Sequence, residues 1–124
     1  MLDENVAKSM VTQAGGSYVG IQRVEGGVDL ILFNDPITET TVSVKTNIAS
    51  VPLIRAKMLR SRINFTQTKT IKQHIPSDLH LEVEEIREDA YALLPHIYLD
   101  ARGIEKLMNI LARLDVLIKY LKTR

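Results

Sequence analysis

Three runs decide the fold class: Ser17-Tyr18-Val19-Gly20-Ile21-Gln22-Arg23-Val24, then Val28-Asp29-Leu30-Ile31-Leu32-Phe33, then Thr40-Thr41-Val42-Ser43-Val44-Lys45. Each is short and rich in Val, Ile, Thr, Tyr or Phe, and turn formers separate them, Glu25-Gly26-Gly27 first and Asn34-Asp35-Pro36 second. Glycine supplies positive φ in the first turn, and proline fixes φ in the second. Connections this short cannot hold a crossover helix, so the strands are expected to be antiparallel and sequential, a three-stranded meander. Val42 and Val44 alternate with Thr41, Ser43 and Lys45, which gives the third strand one wet face. The second strand is apolar on both faces after Asp29 and belongs in the centre.

Helical signals lie on both sides. Leu2, Val6, Met10 and Ala14 recur every four residues, with Asp3 as cap and Gly15-Gly16 as stop, which predicts a short first helix. After the strands, Ser50 precedes Val51-Pro52, a cap followed by proline in a first helical turn. The helix expected from Val51 to Asn64 has two apolar edges, one with Ile54, Met58 and Phe65 and the other with Ala56, Leu59 and Ile63. Such a helix is sandwiched between layers or shared with a partner. Thr66 to Pro76 is polar, lacks a period, and reads as a connector.

From Ser77 or Asp78, Leu79, Val83, Ile86, Ala90, Leu93 and Ile97 step by alternating fours and threes, a helical period that Pro95 should end or kink near Leu94. Asp100 then caps a last helix over 101–122, with Gly103 weakening its first turn. The architecture expected is α+β: a leading helix, the meander, then three helices, the last two forming an antiparallel pair. All of it reads as one domain over 1–124, divided into a helix plus meander (1–46), a basic helix (50–65) and a helical hairpin (78–122).

The last helix carries the sharpest pattern. Ile104, Leu107, Leu111, Leu114, Ile118 and Leu121 follow an a/d heptad over three repeats. One reading is a seam for a second copy of the chain; the other is a long helix docked on its own core. Ile110 and Leu117 at g and Met108 at e widen the stripe beyond a narrow zipper.

The formal charge of +1 conceals segregation. Residues 1–40, 41–76, 77–105 and 106–124 carry −4, +7, −6 and +4. The last two blocks match helix ends, acids near an N-terminus and bases near a C-terminus, and an antiparallel pair would set Glu82, Glu84 and Glu85 beside Lys119, Lys122 and Arg124. The block 41–76 holds Lys45, Arg55, Lys57, Arg60, Arg62, Lys69 and Lys72 without one acid. Such a segment can meet the phosphate backbone of DNA or RNA, or an acidic surface of this fold or of a partner. Phe65 is its one aromatic residue, too few for a base-stacking platform.

Chemistry-bearing constellations are sparse. With no Cys there is no disulfide framework, thiolate metal site or thiol nucleophile. The histidines are His74, His80 and His96; His80 and Glu84 on a helix make a two-ligand fragment in need of a third. Gly15-Gly16-Ser17-Tyr18-Val19-Gly20 lacks the Lys-Ser/Thr ending of a phosphate loop and precedes a strand. Ser43 stands two residues before Lys45, where a metal-dependent nuclease would need a carboxylate.

The acidic start Met1-Leu2-Asp3-Glu4-Asn5 lacks a signal-peptide pattern, and no apolar run approaches the ~20 residues of a membrane span, so a cytoplasmic protein is expected. The functional expectation is a non-enzymatic interaction or assembly module without cofactor. Its partner is a copy of itself or another protein, engaged through the last helix. The alternative is a small nucleic-acid-binding protein using the basic segment 45–72.

Overall fold

A computed structural model describes residues 2–73, 77–94 and 101–123, with side chains except those of 69–73, 77 and 78. Its elements run α1 (Glu4–Ala14), β1 (Ser17–Gln22), β2 (Leu30–Asp35), β3 (Thr40–Lys45), α2 (Val51–Gln73), α3 (Ser77–Leu93) and α4 (Ala101–Lys122). The architecture is α+β in the expected order. The chain clusters into two compact units, Met1–Met58 and Leu59–Arg124, with the boundary inside α2.

In the first unit α1 begins where Asp3 accepts hydrogen bonds from the backbone N–H groups of Asn5 (2.8 Å) and Val6 (3.1 Å), two donors that a helix start otherwise leaves unpaired. It ends at Gly15, whose φ of 94° is the left-handed conformation that closes a helix. The next residue is glycine for another reason: a Cβ at Gly16 would stand 2.8 Å from Cδ2 of Phe33. Close approach, and not only helix termination, demands the second glycine.

The sheet has the order β1-β2-β3, antiparallel throughout. Tyr18, Phe33 and Val42 are aligned across it, as are Ile21, Ile31 and Val44. These rows face the core, which Ala7 and Val11 of α1 and Ile54 and Met58 of α2 complete. Val19 is an extra residue in β1 between the Tyr18–Phe33 and Gly20–Leu32 pairs, a bulge that leaves it exposed. The Tyr18 hydroxyl donates to Oε1 of Glu4 (3.1 Å) and ties β1 to α1. Burial and that bond to a carboxylate raise the Tyr18 pKa above its ordinary value.

Side chains close the turns and shift the strand ends from those expected. β1 stops at Gln22, two residues before Val24, and β2 starts at Leu30, two residues after Val28. Asp29 accounts for both. Its carboxylate accepts from the Val24 N–H (3.1 Å) and from Arg23 (2.9 Å), so a side chain holds this end of the hairpin in place of ladder bonds. Arg23 also donates to the Leu2 carbonyl (2.9 Å), which pins the N-terminus there. At the second turn Asn34 and Asp35 are still strand, and the reversal spans 36–39. Buried Asp35 accepts from the Ile37 N–H (3.0 Å), and its carbonyl accepts from Glu39 (2.8 Å), which has a φ of 59°.

The largest departure is α2. It continues to Gln73 through most of the stretch read as a connector, 66–76; His74 to Pro76 lie outside the described residues. Threonines weakened the helical signal there, because their hydroxyls compete for backbone groups. Here the competition is settled within the helix: Thr66 donates to the Ile63 carbonyl (2.8 Å) and Thr68 to that of Asn64 (2.9 Å). Thr66 is buried at 1% exposure, so a polar residue occupies an inward position with its hydroxyl satisfied.

In the second unit α3 and α4 pack together as the antiparallel pair expected. Val83, Ile86 and Ala90 of α3 and Leu107, Leu114 and Ile118 of α4 are buried. Pro95 and Asp100 lie outside the described residues. An ion pair, Arg113–Asp89 at 3.1 Å, joins these helices. Of the cations expected opposite Glu82, Glu84 and Glu85, Lys119 binds Asp115 of its own helix at 3.4 Å, and Arg124 lies outside the described residues. Among the described residues, no helix is long and apolar enough to cross a membrane.

Candidate functional site

The a/d residues of α4 face inward. Leu107, Leu111, Leu114, Ile118 and Leu121 are buried within the single chain, while Ile104 keeps 38% of its surface. Ile110 and Leu117, the g positions that widened the stripe, are buried with them. The seam predicted for a second copy is therefore already covered, except at its first residue.

A second apolar row remains on the same helix. Ile104, Met108, Ala112, Val116 and Tyr120 follow one another at intervals of four, and all five are exposed. Met108 retains 45%, Val116 70% and Tyr120 47% of their surface. An i, i+4 row is one of the ridges through which helices pack on each other. It advances about 40° per step, so it winds from one flank of the buried stripe across the outer surface to the other flank. That winding hides it from a search at period 3.5 or 3.6. The available signal was three large apolar residues, Met108, Val116 and Tyr120, left over once the heptad positions are assigned.

The basic block is dispersed in burial. Lys45 at the end of β3, Lys57 and Arg60 are exposed. Arg55 donates to the Gln13 carbonyl (3.3 Å) in the last turn of α1, where helix carbonyls lack internal partners. Its Nε is buried without a hydrogen-bond partner. Arg62, expected on the surface, is buried at 7% exposure. Leu59, Arg62, Ile63 and Thr66 stand at i, i+3, i+4 and i+7, so once α2 extends past Asn64, Arg62 falls on its buried face. The side chains of Lys69 and Lys72 lie outside the described ones.

Asp29 has the most distinctive titration. The Val24 N–H first, and then the Arg23 guanidinium, hold its carboxyl below the usual range. Both partners are parts of its own hairpin, so this is a structural clamp. His80 and Glu84 are both exposed on α3, and Glu84 is 3.5 Å from Arg87. His74 and His96 lie outside the described residues. Among the described residues, no group of three or more His, Asp or Glu side chains could hold a metal ion.

No family model, no curated protein and no solved structure matches this chain.

Proposed function

We propose that the protein is a non-enzymatic association module that pairs with a second copy of itself through α4. The observation that carries this reading is the exposed apolar row of α4, on a helix whose opposite side is filled by its own core. Apolar side chains of this size gain free energy when removed from water, and an i±4 row is shaped to dock on a helix. Light scattering during size-exclusion chromatography, repeated over a range of concentrations, tests it. The expected result is a dimer that Val116→Glu converts to a monomer with an unchanged circular-dichroism spectrum. A wild-type chain that remains monomeric at millimolar concentration overturns the reading.

A second reading, contact with the phosphate backbone of DNA or RNA, draws on the exposed cations Lys45, Lys57 and Arg60. Burial of Arg62 and the bond of Arg55 to Gln13 weaken it. Retention on immobilised nucleic acid supports this reading if log K falls against log salt with a slope of roughly −0.9 per phosphate contact and Lys57→Glu with Arg60→Glu removes it. Passage through the column at low salt excludes it.

A further inference from the structure

The exposed row of α4 has an internal symmetry. Reversing the helix about Ala112 exchanges Met108 with Val116, Ile104 with Tyr120, Glu105 with Lys119 and Asn109 with Asp115. From this we infer that the second copy crosses α4 antiparallel, with a two-fold axis through Ala112. The inference rests on the self-association reading and specifies its geometry.

A two-fold contact must be self-complementary, because each residue meets its counterpart across the axis twice. The axis needs a small residue so that the backbones can approach, and Ala112 is the small member of the row. One turn away on each side, Met108 meets Val116 of the copy, apolar against apolar. Beside them Glu105 meets Lys119 of the copy, opposite charges repeated by symmetry. Next to these, Asn109 offers an amide donor to the Asp115 carboxylate of the copy. Lys119 is available for the exchange: its side chain is 67% exposed, and its bond to Asp115 is a loose 3.4 Å.

One pair opposes the arrangement. Arg102 and Lys122 also exchange under the reversal and carry like charge. The crossing angle separates them. Rows of i±4 type interlock at about −50°, so helices that touch at Ala112 diverge toward their ends. Ten residues from the axis is about 15 Å along the helix, where this angle adds roughly 13 Å of lateral separation. The long Tyr120 ring reaches across the smaller gap at eight residues, while Arg102 and Lys122 of the copy remain apart.

The chain has no cysteine, so a single introduced thiol reports position cleanly. Ala112→Cys is expected to oxidise to a disulfide-linked dimer, since only a residue on the axis faces itself. Val116→Cys alone should not cross-link with itself, but should do so when mixed with Met108→Cys. Charge reversal gives an independent readout. Glu105→Lys and Lys119→Glu should each raise the homodimer dissociation constant at least about fivefold. The double variant should return it toward wild type, and the two single variants should prefer each other when mixed. All these side chains are exposed, so circular dichroism should show the fold unchanged. A dimer that neither cross-links at position 112 nor shows charge rescue overturns this geometry and leaves self-association standing. A monomeric wild-type chain overturns both.

Discussion

The two units of this chain secure their folds by different means. In residues 2–58 single polar or glycine positions set the geometry: the Asp3 cap, the Asp29–Arg23–Val24 clamp, the Asp35 turn and Gly16 against Phe33. In residues 59–123 the same task falls to repeated apolar residues on helices, with Val83, Ile86, Leu107, Leu114 and Ile118 among the buried set. Short strands leave few apolar side chains per element, so register and turns depend on specific bonds. Long helices bury a residue at nearly every turn, so apolar packing is spread along their length. Damage should therefore concentrate at a few special positions in the first unit and spread along a stripe in the second.

Core truncation gives the largest expected effects. Phe33→Ala in the first unit should cost about 3–5 kcal/mol, and Leu114→Ala in the second about 2–5 kcal/mol, read by chemical denaturation. Hydrogen exchange should show protection lost first in the unit that carries the substitution. Uniform loss across 2–123 from either variant would break the comparison. Gly16→Ala comes next, at about 1–3 kcal/mol, because its methyl group meets Phe33 at 2.8 Å and Val11 at 3.1 Å.

The acid response sharpens the contrast further. The Asp29 carboxyl is depressed below its ordinary value of 3.8, so its contribution to stability is fully present above that pH and is lost as pH falls through the lowered folded value. Acid titration followed by resolved backbone amide signals should show the 23–29 hairpin loosening below about pH 3.8. Asp29→Asn should remove that part of the pH dependence and lower stability at neutral pH, while α3 and α4 keep their wild-type profile. The smallest effect belongs to the exposed Arg113–Asp89 pair at 3.1 Å. Arg113→Ala should change the denaturation midpoint by no more than about 1 kcal/mol equivalent, since exposed ion pairs are screened by water and salt. A larger loss would mean that the second unit, too, depends on a specific polar bond.

Legibility differed between these units for the same reasons. The meander was readable because its turn formers and β-branched runs are local signals, and β3 occupies Thr40–Lys45 as expected. The ends of β1 and β2 were not, since Asp29 acts across the hairpin on Val24 and Arg23. In the second unit α4 was readable from its heptad alone. The length of α2 was not, because its last turns rest on threonine hydroxyls bonding back to the helix and on the burial of Thr66.

At the candidate site the sequence determined that α4 is an amphipathic helix with more apolar residues than a two-position heptad uses. It also determined that 41–76 is uniformly basic. Period and charge are properties of the chain and survive any arrangement of it. Which apolar row lies inside and which lies outside is a property of packing. Only the tertiary structure decided that Leu107, Leu111, Leu114, Ile118 and Leu121 turn inward and leave Met108, Val116 and Tyr120 in water. It also decided that Arg62 leaves the basic surface for the buried face of α2. A helix can satisfy its heptad against its own neighbour or against a copy of itself with the same side chains. The choice is made by the surface that the rest of the chain brings to it.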